Sequence, residues 1–419
     1  MPILHPARDV DLAATPVVAV WEITLACDLS CRHCGSRAGP RRPDELSTEE
    51  ALSLIRQLRE LGCREVALIG GEAYLRKDWL TLVRAVADAG MRCTMTSGGR
   101  GLTAERAAQA RQAGLYSASI SVDGLRRAHD ELRNVPGSFD SALEAMANLQ
   151  AAGIPVACNT QINRLTMQDI PALRDLLASR GMRGWQIQIT VAMGRAVDED
   201  GLLLEPYQML EVMPLVMRMF ERCAADNIPV WAGNNIGYFG PYEARLRSYL
   251  PSGHRGSCGA GRNTIGIEAT GDIKGCPSLP TTDYVGGNLR DAPLRDLWQR
   301  TSQLRVTRDF SLHELWGFCA TCYYADACRG GCNWTSHSLL GRRGNNPYCH
   351  HRALELLRQG QRERVVRRAY GTGQPFDHGL YDVIQEPWPA DELERAWSVV
   401  REERHWLSPD STHQDEDQP

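Results

Sequence analysis

Between residues 17 and 194, apolar runs of strand length alternate with stretches of helical period, and this alternation constrains the fold more than any other feature. The run VVAVWEITLA (17–26) reads as a buried strand. The stretch STEEALSLIRQLRELG that follows reads as a helix, capped by Ser47 with Glu50 three residues on and closed by Gly62. EVALIGG (65–71) is the next strand and 78–89 the next helix. RCTMTSGG, YSASISVDG, PVACNTQIN and GWQIQITVAMG follow as strands, separated by helices at about 103–113, 138–152 and 167–179, with a sixth helix at about 206–226. Strands that alternate with helices imply a parallel sheet. Six units in about 220 residues suit an open α/β barrel, a partial (β/α)6 TIM-like arrangement, better than a complete eight-fold one. A flat doubly wound sheet is the alternative.

From about residue 236 the rhythm is lost, and Gly, Pro and Cys become frequent. NTIGIEATGDIKGC reads as a hairpin with a Thr-Gly-Asp turn, and PLRDLWQRTS as a short helix. So loop-rich a segment needs a staple, and metal can supply one. The expected organisation is an extension (1–16), a barrel (17–235), a small loop-rich α+β domain (236–360), a C-terminal helical segment (361–407) and a disordered tail (408–419). A helix over 351–367 is expected to lead into that last segment, with Trp388, Trp397 and Trp406 as packing anchors.

A formal net charge of −4 without any cluster of basic residues gives no electrostatic support to a nucleic-acid or membrane-surface role. No run of 18 apolar residues exists, and the first residues lack the pattern of a signal peptide, so a cytoplasmic location is expected. Fourteen cysteines are many for a reducing compartment. Ten are bunched, in an N-terminal triad and a C-terminal set of seven, which favours metal or cluster ligation over disulfides. Cys63, Cys93, Cys158 and Cys223 are scattered and read as core residues.

The triad lies in Cys27-Asp-Leu-Ser-Cys31-Arg-His-Cys34, just after the first strand. A zinc site usually has four ligands. Three thiols alone suit a cubane cluster with one iron left open to a small molecule. This spacing, with a ring residue (His33) before the last Cys, resembles the signature of the radical S-adenosylmethionine (SAM) superfamily. The resemblance implies that Cys27, Cys31 and Cys34 hold a 4Fe-4S cluster whose fourth iron is chelated by the amino and carboxylate groups of SAM. One electron then gives methionine and a 5′-deoxyadenosyl radical, which abstracts hydrogen from substrate. IGGEAYLR (69–76) resembles the GGE motif, with Gly70 and Gly71 allowing close approach and Glu72 accepting from the methionine ammonium; the usual Pro is Ala73. SISVDG (119–124) resembles the ribose-binding strand, through Ser121 or Ser119. Arg133 in HDELR is implied as partner to the cofactor carboxylate, Arg195 belongs to the Gly-Arg-Ala of this subgroup, and Asn159 and Gln161 are polar candidates on the fifth strand. TSGG (96–99) stands where Thr-Asn-Gly is more usual. Each motif falls at the carboxyl end of its own strand, and in a parallel barrel those ends share one face.

The second set reads Cys258-x12-Gly271-x4-Cys276, then Cys319-x2-Cys322-x5-Cys328-x3-Cys332-x16-Cys349. It resembles the SPASM domain, which carries auxiliary clusters in many peptide-modifying radical enzymes. The resemblance implies that Cys319, Cys322, Cys328 and Cys349 hold one auxiliary 4Fe-4S cluster and Cys258, Cys276 and Cys332 the other, three clusters in all. No eighth Cys lies between Cys258 and Cys276, so the first auxiliary cluster has an open iron or a non-Cys ligand.

The family suggests several substrates. Sulfatase-maturating members carry an Asp where this chain has Pro277, which disfavours that activity. The expected function is modification of a peptide, a ribosomally made precursor, by crosslink, thioether or other side-chain chemistry. Only 26 residues precede Cys27, so either a separate protein is expected to present the leader or the substrate is recognised directly, and an external donor is expected to supply electrons. Haem- or tetrapyrrole-modifying enzymes are the alternative. A non-catalytic iron–sulfur carrier and a zinc-stapled module are the other classes, opposed respectively by the GGE and ribose-type segments and by the full cysteine array.

Overall fold

In the computed structural model, residues 2–254 and 256–404 are described, so the expected tail at 408–419 and Trp406 lie outside the described residues. Twelve strands appear among them: β1 (Val18–Glu22), β2 (Glu65–Ile69), β3 (Arg92–Ser97), β4 (Ser117–Ser121), β5 (Val156–Ile162), β6 (Trp185–Ile189), β7 (Val230–Ala232), β8 (Thr264–Ile267), β9 (Asp272–Lys274), β10 (Gly287–Asn288), β11 (Gln361–Ala369) and β12 (Leu380–Pro387). β1 through β7 are parallel neighbours in chain order, each followed by helix until β7. The expected α/β partial barrel is therefore present. The first helix, Thr48–Glu60, starts as its sequence signals: Ser47 Oγ accepts from Glu50 N (3.2 Å) and Glu50 Oε2 from Ser47 N (2.8 Å).

The strands show why the barrel is hollow. On β5 the side chains of Val156, Cys158, Thr160 and Ile162 are buried, while Ala157, Asn159 and Gln161 between them are partly exposed. Cys158 Sγ sits 3.8 Å from Met146 Sδ on helix Ser138–Ala151, so the buried set faces the helices. The other set faces the lumen. On β4 and β6 the inward residues are Ser117, Ser119, Ser121, Gln186 and Gln188. Small and amide side chains cannot fill the interior as the branched residues of a closed eight-stranded barrel do. The four scattered cysteines are all fully buried in the core, as expected.

Two segments depart from the sequence reading. The hairpin β8–β9 is not confined to the second half of the chain: β8 pairs in parallel with β1, Val18 with Thr264 through Trp21 with Ile267. One ten-stranded sheet, in the order β10-β9-β8-β1-β2-β3-β4-β5-β6-β7, thus runs through the expected boundary at 235/236. A barrel of six or seven strands has an open edge, and β8 covers it. The C-terminal segment is the second departure. It was expected to be helical over 361–407, but the helix His350–Arg358 ends at Gly360 (φ 67°), and an antiparallel hairpin, β11–β12, precedes the helix Ala390–Arg404. Its charged residues imitate a helical face, yet they pair across strands: Arg362 and Arg364 both reach Glu386, at 2.8 Å. Trp388 and Trp397 pack on the core as expected. The N-terminal extension is tied down as well, because buried Asp11 forms an ion pair with Arg305 (3.0 Å) and accepts from Arg308 Nη1 (2.9 Å).

No helix among the described residues is long and apolar enough to cross a membrane.

Candidate active site

The cysteine loop leaves β1 and folds back on itself, with Cys27 N donating to Gly39 O (2.9 Å). Cys27, Cys31 and Cys34 converge: Cys31 and Cys34 disfavour ionisation of Cys27, and Cys34 disfavours ionisation of Cys31. Burial, then Glu72, pushes the Cys27 thiol up to about 12. Burial pushes Cys31 up to about 11, with Arg133 opposing it. Thiols raised in this way at Cys27 and Cys31 give up their protons most readily to a bound metal.

β2 ends at Ile69, and Gly70, Gly71 and Glu72 pass directly against the exit of β1. Gly71 N donates to Thr24 O (2.9 Å) and Glu72 N to Ala26 O (2.7 Å). A Cβ at Gly70 would lie 2.2 Å from Thr24 O, and one at Gly71 2.2 Å from Ala26 O. The glycines therefore permit backbone contact with the cysteine loop, a different reason from the ligand approach expected for them. Glu72 is 2 % exposed and points into the site. Its carboxylate accepts from Ser97 Oγ (2.5 Å) and Gly98 N (2.7 Å), and one of its oxygens lies within 4.8 Å of ligand atoms of Cys27 and Asp28. Burial pushes it up to about 7. The TSGG segment thus has a specific task, because Ser97 and Gly98 orient Glu72.

Arg133 lies on the far side of the cysteines, on helix Arg126–Arg133. Its Nη2 donates to Asp123 (2.5 Å) and its Nη1 to Cys31 Sγ (3.6 Å). Burial works against its charge, but Asp123 and Cys31 hold it protonated. Asp123 also accepts from Gln161 N (2.9 Å) and faces His33 Nε2 (3.7 Å). The sequence reading passed over Asp123, although it stands in the quoted SISVDG. Only the fold shows that Arg133, His33 and a thiol depend on this one carboxylate.

Arg195 is brought to the cysteines as well, but to their backbone. Its Nε donates to Cys31 O (2.7 Å), its Nη1 to Ala38 O (3.1 Å), and its own N to Cys34 O (3.0 Å). Gly194 (φ 58°) makes this possible, since a Cβ there would lie 2.2 Å from Cys34 O. Ser121 and Asn159 are register partners on the lumen wall, and Ser119 Oγ one layer below is buried without a partner.

The later cysteines fall into two groups. Cys258, Cys276 and Cys332 line a cavity of about 230 Å³ that continues to Val20, Gln186 and Gln188 on the barrel wall and to Asn234, Asn235 and Trp334. Cys319, Cys322, Cys328 and Cys349 line a separate cavity of about 20 Å³ walled by Phe239, Phe318, Tyr324 and His351. Tyr238, which is 1 % exposed, lines both.

A profile of the radical SAM superfamily matches residues 21–177, and one of the iron-sulfur cluster-binding SPASM domain matches 258–323. The AdoMet-dependent heme synthase of Oleidesulfovibrio alaskensis is 30% identical over 352 residues, 78% of this chain and 86% of that protein. The chain belongs to the radical SAM superfamily. Within it, this is a radical SAM enzyme with a SPASM domain. Another relative, the mycofactocin maturase MftC of Mycolicibacterium smegmatis, is 30% identical over 323 residues, 76% of this chain and 78% of MftC. The fold is similar to that of Streptococcus suis SuiB bound to S-adenosylmethionine (TM-score 0.62, 17% identity, 80% of this chain and 76% of that one). Both matched domains are iron–sulfur-binding, and the site's chemistry suits this: convergent thiols, one buried carboxylate, and buried polar atoms without partners at Ser119 Oγ, His33 Nδ1, Arg133 Nε and Arg195 Nη2.

Proposed function

We propose that this enzyme modifies a peptide, a ribosomally made precursor, by hydrogen abstraction in the barrel lumen. In this reading Cys27, Cys31 and Cys34 hold the SAM-binding 4Fe-4S cluster, which with SAM supplies a 5′-deoxyadenosyl radical when reduced by an external donor. Glu72 accepts from the methionine ammonium, backed by Ser97 and Gly98. Arg133, balanced by Asp123, faces the cofactor carboxylate. Ser121 and Asn159 face its ribose, with Ser119 beneath. Arg195 positions the cysteine loop and does not touch the cofactor. Two auxiliary 4Fe-4S clusters follow: Cys258, Cys276 and Cys332 hold the first and leave one iron open toward the lumen, while Cys319, Cys322, Cys328 and Cys349 close the second.

The observation that carries the peptide reading is the chemistry of the lumen wall. The inward residues of β4, β5 and β6 are small, hydroxyl or amide side chains without charge. Amides and hydroxyls match the donors and acceptors of an extended peptide backbone. The precursor-bound SuiB structure shares the fold, and MftC is named a maturase. The heme synthase relative favours a second reading, a tetrapyrrole substrate. Such a substrate carries several carboxylates, which call for cationic partners. Among the described residues lining the cavity at Cys258, Cys276 and Cys332 none is Lys or Arg, and Lys274 nearby is fully buried and paired with Glu268 at 2.8 Å. Anaerobic reconstitution with candidate precursor peptides tests the choice. Deuterium transfer from labelled peptide into 5′-deoxyadenosine, with a mass change in the peptide, is expected. Turnover of an iron porphyrin with no transfer from any peptide would overturn the peptide reading.

A further inference from the structure

Outside both cysteine sets, Asp283, His337 and His378 converge. One carboxylate oxygen and one nitrogen from each imidazole all lie within 4.8 Å of one another. The three residues come from separate segments: the helical turn Thr281–Tyr284, the helix Asn333–Leu340 that begins just after Cys332, and the connection between β11 and β12. We infer that they form a binding site for one divalent transition-metal ion of the zinc type, distinct from the iron–sulfur clusters.

Two imidazoles and one carboxylate are a common three-ligand set for such ions, with the remaining positions left to water. The hydrogen bonds around the rings orient them for it. His378 Nδ1 lies 2.7 Å from Gly379 O. A carbonyl oxygen can only accept, so Nδ1 carries the proton and the neutral ring presents a lone pair at Nε2. His337 Nδ1 is 3.0 Å from the Tyr284 hydroxyl, and its Nε2 is 3.3 Å from Asp283 Oδ2. In each ring Nδ1 is thus held by a partner, and for His337 the other nitrogen, Nε2, faces Asp283, an arrangement that ligating histidines share. His337 and Tyr284 are buried, so this geometry is fixed by packing. Asp283 is about half exposed, with 47% of its side chain open to solvent, which leaves an entry path for the ion.

The position gives the ion a consequence. The two residues before His378 hold the first cluster loop: Phe376 N donates to Gly35 O (3.1 Å), Asp377 O accepts from Gly194 N (2.8 Å), and the Asp377 carboxylate accepts from Arg37 Nε (2.8 Å). A metal on His378 and His337 would tie this strap to the helix that follows Cys332. It would brace the SAM-site loop against the first auxiliary site. The inference does not depend on which substrate is modified.

The test uses full-length protein with its iron–sulfur clusters assembled, kept anaerobic, and Zn2+ alone as the probe. Zinc, iron and sulfide per chain are measured after dialysis against a zinc-buffered solution. One zinc per chain is expected beyond the iron. His378→Ala and Asp283→Asn, both at accessible positions, should bind it at least tenfold more weakly with iron and sulfide unchanged. Zinc should also slow amide exchange over 370–379 in the wild type and not in His378→Ala. Absence of zinc binding by the wild type, or equal zinc affinity in both variants, would overturn the site.

Discussion

The two auxiliary cysteine groups share a domain but not a design. The first supplies three thiols and lines a cavity of about 230 Å³ that runs on to barrel residues Val20, Gln186 and Gln188. The second supplies four thiols around about 20 Å³ enclosed by aromatic side chains. A site one thiolate short, facing polar side chains, can take a further ligand. A site with its full complement behind aromatic walls can only hold its contents and pass electrons. The N-terminal triad resembles the first group in thiol number: it brings three thiols together, beside the buried carboxylate of Glu72. On the proposed cluster assignment, thiol count and wall chemistry change together, and this difference is what would separate a site that takes a small molecule from one that does not.

The largest effect that could break this comparison is on radical formation. Replacing Cys27, Cys31 and Cys34 together by Ala should abolish 5′-deoxyadenosine while both auxiliary groups keep their iron; retained cleavage of SAM would move the reaction elsewhere. Next, Cys349→Ala should release iron and lower the melting temperature more than Cys258→Ala does, because the closed group joins loops with little core of their own. Equal losses in calorimetry and iron assay would mean that the two groups staple the domain equally. Third, Glu72→Gln should weaken SAM binding roughly 10–100-fold, the worth of a hydrogen bond to a charged group at about 1.5–3 kcal/mol. Unchanged affinity by equilibrium dialysis would remove Glu72 from the cofactor.

The smallest effect concerns the seam between β1 and β8 that joins barrel to SPASM hairpin. Glu22 there is 1 % exposed, and burial pushes it up from 4.5 to about 8, with Arg42 opposing. The unfolded chain loses this proton near 4.5 and the folded chain near 8, so the folded state binds more protons in between. Stability from this group is full below the lower value, falls as pH rises through the window, and is constant above it. Glu22→Gln should therefore gain stability relative to wild type as pH rises, by up to roughly 5 kcal/mol. A pH-independent difference in denaturant unfolding would show that Glu22 is ionised when folded.

Much of this was legible in the chain because its signals are local. Ser47 and Glu50 cap the first helix as their spacing dictates, and the two cysteine groups that the SPASM resemblance implies line separate cavities. What escaped was of two kinds. Arg362, Arg364 and Glu386 read as helix surface, since only the partner strand reveals their pairing. Asp123 was hidden because its three partners, Arg133, His33 and Gln161, reach it from other segments.

The sequence by itself determined the parallel α/β architecture, the N-terminal cysteine triad with the C-terminal set of seven, and the glycines at the β2 exit, because periodicity and spacing are properties of neighbouring residues. Only the tertiary structure decided that β8 closes the barrel edge on β1, that Ser97 and Gly98 aim Glu72, and that Asp283, His337 and His378 meet. Those facts rest on contacts between residues far apart in the chain, which side-chain packing and strand register fix only once the whole core has formed.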